Sequence, residues 1–491
     1  MNKKPAWFYP LTFSGLIFIF TPGCEKDEDP IDEPVDEPVE TPAEFEGGAG
    51  TKTDPWLIAT PEQLDDVRNF LKSHFKQIAD IDLNSFSSGR GWQPVGEQEK
   101  PFSGTFNGNG YEITNLSINS PFGYNIGLFG KTDNSEIKNV VLVINKITGF
   151  TNVGGLVGAS SYGDRFINCY TTGNVLGDYN IGGLVGNNSG NINDCNTSAD
   201  VYGFNAGGIA GLNNEEGRIY NSYATGDISG LRAGGLVGIN DGGYISNCHA
   251  TGDVSGPESG GLVATNLHEG NVINCYASGN ISGDGSGGLV GVNEAYIINC
   301  YATGNISGNG IGGLVGINRH SITNGYATGD ASGNRNIGGL AGFNTDGGTI
   351  SNCYSIGTVS GYEQAGGLIG FNLNGGVITN SFAAGDVSAY AYAGGFAGVN
   401  EGDIINCYAK GIVSGDRYLG GLIGVSFRWN HDGNTVYSYY DKNTTGQNDT
   451  GKGIPKTTSE MMQQSTFETW NFTTIWSIDE GAGYPYLRWK E

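Results

Sequence analysis

Residues 299–316 read Asn-Cys-Tyr-Ala-Thr-Gly-Asn-Ile-Ser-Gly-Asn-Gly-Ile-Gly-Gly-Leu-Val-Gly. The string recurs with small changes along most of the 491-residue chain, and that recurrence decides the fold. Its Gly-Gly-Leu-Val-Gly end starts, in variants, at Gly154, Gly182, Gly207, Gly234, Gly260, Gly287, Gly312, Gly338, Gly366, Gly394 and Gly420. Ile126-Gly127-Leu128-Phe129-Gly130 is an imperfect earlier copy. Ten steps from Gly154 to Gly420 give a period of about 27 residues, the mark of a stacked-repeat architecture. Each unit holds two short β-like runs and no helical pattern. One unit cannot bury its apolar face alone, but a stack can, so an all-β chain follows: a parallel β-helix (β-solenoid) of about eleven to twelve rungs.

Two asparagine columns mark its corners. Six residues after each first Gly stand Asn188, Asn213, Asn240, Asn266, Asn293, Asn318, Asn344, Asn372 and Asn400. Asn tolerates left-handed turns, and stacked amides hydrogen-bond along the axis, so this column reads as a turn ladder. The second column, Asn168, Asn221, Asn247, Asn274, Asn299, Asn324, Asn352, Asn380 and Asn406, marks another corner just before the Cys position.

After that corner the consensus is Cys-Tyr-Ala-Thr-Gly-Asp-Val-Ser-Gly, and strand period two assigns its faces. Turning Tyr inward would also bury the acids at Asp200, Asp227, Asp253, Asp330 and Asp386, at several kcal/mol for each unpaired charge. Cys, Ala, Gly and Val therefore face in. Tyr, Thr, Asp and Ser face out as a polar face with an aromatic line, on which Tyr223, Tyr276, Tyr301, Tyr326 and Tyr354 are the ligand-binding candidates. Seven Cys remain once Cys24 is set aside, an odd number, and ladder neighbours about 4.8 Å apart exceed the Cβ separation a disulfide needs. The column reads as small buried filling, with no metal bound.

The segments outside the repeat read differently. Lys3 and Lys4 precede an apolar stretch from Ala6 to Phe20, then Thr21-Pro22-Gly23-Cys24. Residues 1–23 read as a signal peptide, with Cys24 placed as in a bacterial lipoprotein cleavage box. Residues 24–46 are an acidic, Pro-rich tether, and its Glu25-Lys26-Asp27-Glu28-Asp29 start suggests export to the outer face of the outer membrane. Residues 47–120 are expected to form a small α/β N-terminal cap, with a short helix opening at Thr60-Pro61-Glu62-Gln63. Residues 121–427 hold the β-helix. Residues 428–491 are expected to form the C-terminal cap, helical over Ser459 to Trp470 and packed by Trp476, Tyr484, Tyr486 and Trp489.

The Gly-Gly-[Leu/Ile/Phe]-[Val/Ile/Ala]-Gly cores and their Cys-Tyr-Ala-Thr-Gly partners resemble the bacterial cell-surface proteins built from GLUG-motif repeats. The resemblance covers about residues 120–425. It implies a parallel β-helix and an association with adhesins, and it implies no activity.

Composition narrows the functions. With 50 acidic and 25 basic residues the formal charge is −25, which repels phosphate backbones, so nucleic acid is excluded as a partner. No His-Glu-x-x-His and no Gly-x-Ser-x-Gly occurs. No cofactor is implied, although loose Ca²⁺ binding by Asp-rich turns stays open. One charged set, His268, Glu269, Glu294, Arg319 and His320, falls on successive loops after the first Asn column, with residue types suited to glycoside hydrolysis or uronic-acid elimination. The leading expectation is a non-enzymatic, lipid-anchored outer-membrane rod that binds glycans or surface proteins. A β-helical polysaccharide lyase or glycoside hydrolase is the alternative, and a passive envelope spacer the third.

Overall fold

The computed structural model describes residues 44–373, 375–426 and 434–490. The signal-peptide reading, Cys24 and nearly all of the tether lie outside the described residues.

Each repeat makes one coil of a parallel β-solenoid of about 13 turns. Three walls run along it. The first contains fifteen short strands, from Trp56–Ile58 to Thr435–Val436. The second contains twelve, from Phe129–Lys131 to Ile423–Ser426. The third carries the Tyr column, paired in register as Tyr223↔His249, His249↔Tyr276, Tyr276↔Tyr301 and Tyr301↔Tyr326.

The inward residues are those that period two assigns. In one coil Ile297, Cys300, Ala302, Ile306, Leu314 and Val315 are at most 1% exposed. Burying each Ile, Leu or Val contributes roughly 1.5–3 kcal/mol, and only the stack supplies the apolar partner. The paired Gly is a matter of close approach: a Cβ on Gly313 would lie 2.1 Å from the Gly339 carbonyl oxygen of the next coil. The Cys column is buried and unpaired at Cys169, Cys195, Cys248, Cys275, Cys300, Cys353 and Cys407. Burial pushes the Cys353 and Cys407 thiols up to about 12, so neither is a reactive thiolate near neutral pH.

The two asparagine columns divide the duties that the sequence assigns to one. The second column takes the left-handed conformation, with φ of 55° at Asn299 and 54° at Asn324, and turns the corner. The first column has no positive φ; it is fully buried, and each amide donates to the next. Asn266 Nδ2 meets Asn293 Oδ1 at 3.0 Å, and Asn293 Nδ2 meets Asn318 Oδ1 at 2.9 Å and the Ala295 carbonyl at 3.0 Å. Every rung thereby satisfies the buried polar group of the one before.

Both ends depart from the expected caps. Strands Trp56–Ile58, His74–Gln77 and Thr105–Asn107 pair in parallel with one another, and the last continues into Glu136–Lys138. Residues 47–120 therefore supply the first coils of the solenoid itself, with the helix Pro61–Asp65 held by a Thr60/Gln63 capping box beside them. Phe45 stacks on Trp56 at 5.1 Å over the open end. At the other end, helix spans only Thr458–Met461, followed by a 3₁₀ turn at Gln464–Thr466. Extended backbone at Gln463 interrupts it. Phe467 and Trp470 are thereby buried, with Trp470 against Trp476 at 4.4 Å.

Candidate functional site

In-register parallel strands put the same side chain on the same spot of every rung, about 4.8 Å apart. Eight rings from Tyr223 to Tyr408 stack in this way without a break, with centroids 4.7–5.0 Å apart and planes within 2–8°. Carbon atoms in contact sit about 3.5–4.0 Å apart, so parallel rings at this spacing must overlap offset, each leaving part of its flank uncovered.

The C-terminal segment folds back over the far end of this ladder. Tyr354 and Phe382 are 5% exposed and Tyr408 is 1% exposed. Trp489 lies 6.3 Å from Tyr326 and 6.0 Å from Tyr354, and its indole N–H donates to the Asn352 carbonyl at 2.9 Å. Lys490 Nζ sits 4.1 Å from the Tyr354 ring centre, and the Tyr408 hydroxyl donates to the Pro485 carbonyl at 2.7 Å. Burial pushes the Tyr354 and Tyr408 phenols well up. Tyr354, expected on the open face, is thus covered, because the aromatics of 428–491 pack against the side of the solenoid. Tyr326 is half-buried at the boundary. Tyr223 is 36% exposed, and Tyr276 and Tyr301 are half-buried but lie outside the cluster formed with the C-terminal segment, with His249 between the first two.

Along the same wall runs a groove of about 510 Å³, lined by Asp227, Asp253, Asn280 and Asn305, by Ile228, Val254, Ile281 and Ile306, and by a serine column from Ser229 to Ser332. Its acids also hold the fold. The Asp253 N–H donates to Asp227 Oδ1 at 3.0 Å, the Asn280 N–H to Asp253 Oδ1 at 2.8 Å, and the Asp330 N–H to Asn305 Oδ1 at 2.9 Å. One side-chain oxygen per rung thus bridges the break between the Tyr strand and the Ser strand.

The charged loops pair across neighbouring rungs. His268 Nδ1 pairs with Asp241, which holds the imidazole above its usual pKa through that hydrogen bond first and the carboxylate charge second. Arg319 pairs with Glu294 at 2.6 Å and Asp346 at 3.3 Å, and the Glu294 charge adds to the upward shift of His268. His320 turns edge-on to Tyr296 at 4.6 Å, and Glu269 takes a left-handed φ of 63°. Asn214, Glu215, Glu216 and His268 line a shallow hollow of about 360 Å³. Cross-rung charge pairing is what this arrangement achieves.

Seven stretches match the GLUG motif: residues 202–229, 229–255, 257–282, 283–307, 333–360, 361–388 and 389–414. The chain carries GLUG-motif repeats. The solenoid continues through 308–332, between the fourth and fifth GLUG matches, with the same wall strands. A protein of Evansella cellulosilytica called a Gly-rich membrane protein is 42% identical over 126 residues, covering 24% of this chain and 15% of that one. Halomucin of Haloquadratum walsbyi is 36% identical over 135 residues, 26% of this chain and 1% of that one. The matched stretches therefore span a small part of these relatives. A solved Bacteroides ovatus structure called an immunoglobulin A1 protease aligns over 91% of this chain and 96% of that one, at 18% identity and a TM-score of 0.21, a score that carries nothing over.

Sequence reasoning missed the fold-back of the C-terminal segment. Its signal is the density of Trp470, Trp476, Tyr484, Tyr486 and Trp489, more aromatic surface than one solenoid end can bury.

Proposed function

We propose that this GLUG-repeat chain is a cell-surface lipoprotein, anchored through Cys24 to the outer face of a bacterial outer membrane, whose solenoid is a non-catalytic rod binding an extended glycan or surface protein. The observation that carries the binding reading is the uncovered run Tyr223, Tyr276 and Tyr301, exposed to half-buried, on the same wall as the groove from Asp227 to Ser332. Uncovered ring flanks offer apolar contact, and the free oxygens of the Ser and Asp columns offer hydrogen bonds on one straight line. Relatives called a membrane protein and a halomucin support a place in the cell envelope.

The test is binding of the full chain to a glycan array and to envelope proteins, repeated with Tyr276→Ala and Tyr301→Ala together. Loss of binding with unchanged circular dichroism is the expected result, and unchanged binding refutes the ladder as platform. Incubation with a polysaccharide panel, followed by absorbance of new double bonds and by reducing ends, is expected to stay silent. A signal there turns the reading toward the lyase or hydrolase.

A further inference from the structure

A second aromatic surface lies away from the ladder, on the corner strands that precede each Gly-Gly pair. The early coils build this corner as a sheet, from Tyr124–Ile126, Thr151–Gly154, Tyr179–Gly182, Asn205–Gly207 and Arg232–Gly234, and the late coils pair it again from Arg335–Gly338 onward, where Tyr362 stacks on Tyr390 and Tyr392 on Tyr418. The coils between Gly260 and Gly312 pass the corner with single Gly-to-Gly bridges and no aromatic residue. In the first four of the early coils an aromatic projects at each rung: Tyr124, 65% exposed, then Phe150, Tyr179, 45% exposed, and Phe204, with Tyr202, 59% exposed, at the side.

These rings do not shingle as the ladder does. Tyr124 meets Phe150 at 77° and Phe150 meets Tyr179 at 79°, both edge to face, while Tyr179 and Phe204 tilt at 41°. Edge-to-face contact leaves broad ring faces turned to solvent. Between Tyr179, Tyr202 and Phe204 lies a hollow of about 270 Å³, lined by the stacked glycines Gly177, Gly203 and Gly230. The Tyr179 and Tyr202 hydroxyls and the Asp178 carboxylate make no hydrogen bond to any described residue. The nearby cation, Arg232, is engaged, lying 5.9 Å over Phe204 and 3.0 Å from Glu258.

We infer that this corner is a second binding site, distinct from the ladder and groove, for a linear neutral glycan. The hollow has the volume of a single sugar ring, too small for a helix or a folded partner. Open aromatic faces beside it match the apolar face of a pyranose, and the free phenols and Asp178 match its hydroxyls. The rung repeat sets such stations on one line, which suits an extended polymer. The unpaired carboxylate and the engaged Arg232 disfavour acidic sugars.

The full chain is titrated calorimetrically with neutral hexasaccharides of β-1,4-glucose, β-1,3-glucose, β-1,4-xylose and β-1,4-mannose, and with hexagalacturonate. At least one neutral hexasaccharide is expected to bind, and Tyr179→Ala with Tyr202→Ala to weaken it by about tenfold or more, both positions being exposed and circular dichroism unchanged. Tyr162→Ala, an exposed ring outside both sites, is expected to leave that affinity within about twofold. The inference is overturned if no neutral hexasaccharide binds, if the corner variant weakens binding less than tenfold, or if hexagalacturonate binds best. A dimer in sedimentation velocity that the corner variant abolishes also overturns it, since the patch would then be covered by a second copy. Loss of binding only in the ladder variant overturns this site while leaving the ladder proposal standing.

Discussion

The rungs of Tyr223 to Tyr301 and those of Tyr354 to Tyr408 carry the same column in the same register, with the same ring spacing, yet the first set is exposed to half-buried and the second is sealed under Trp470, Trp476, Tyr484 and Trp489. The repeat differs at one outward position, where the Thr or Ser of the first set becomes Ile356, Ala384 and Lys410 in the second. The cover comes from a segment outside the repeat, and it seats on rungs whose own outward residues meet it, Ala384 in the aromatic cluster and Lys410 over the Tyr484 ring, so repeat and flanking sequence together decide how much of the column stays available.

The largest break in the comparison comes from the sealed half. Trp476→Ala or Tyr408→Ala, at 0% and 1% exposure, is expected to lower stability by about 3–5 kcal/mol in denaturant unfolding, against about 1 kcal/mol or less for Tyr276→Ala. Equal losses would mean that the two halves are packed alike. The buried amide ladder provides the matching control. Asn266→Ala and Asn372→Ala are each expected to lose about 1–3 kcal/mol, alike in both halves, because each strands a neighbouring buried amide. A clear inequality would show that the covering segment also supports the inner column.

Trp489→Ala should act more locally. It removes the ring over Tyr326 and Tyr354 and the hydrogen bond to Asn352, so hydrogen exchange across 476–490 is expected to quicken while the solenoid's amides keep their protection. Quickening that spreads through the coils would contradict a segment merely laid on their surface.

The smallest effects are the two histidine titrations, which have opposite signs. Burial lowers the His249 pKa between its stacked neighbours, so the unfolded chain binds the proton more readily, and stability falls as pH drops from about 6.5 through the folded value. Asp241 raises the His268 pKa, so its contribution is present below about 6.5 and is lost as pH rises through the folded value. NMR titration of the two imidazoles checks both directions, and midpoints in the reverse order would remove the stacking and pairing explanations together.

Much of the solenoid was legible because its constraints repeat. The paired Gly, the inward Cys and the outward Tyr and Asp follow from period two and the cost of buried charge, and each recurs often enough to exclude accident. The early coils were hidden because Trp56-Leu57-Ile58 and His74-Phe75-Lys76-Gln77 pair as rungs without the glycine signature. The fold-back was hidden because it joins residues far apart in sequence, such as Trp489 and Asn352, through contacts that no local period encodes. The aromatic corner was overlooked because Phe150, Tyr179 and Phe204 stand in the variable stretch between two conspicuous motifs. The charged loops were legible as one column because they recur at the same place in successive repeats, but their partners, His268 with Asp241 and Arg319 with Glu294 and Asp346, follow from side-chain geometry that the period does not encode.

Nitration of the folded wild-type chain by tetranitromethane, read tyrosine by tyrosine in peptide mass spectra, asks directly whether one ladder has an open and a sealed half. Tyr223, Tyr276 and Tyr301 should be modified while Tyr354 and Tyr408 are spared. Equal modification along the column, or protection of Tyr276 and Tyr301, would contradict it.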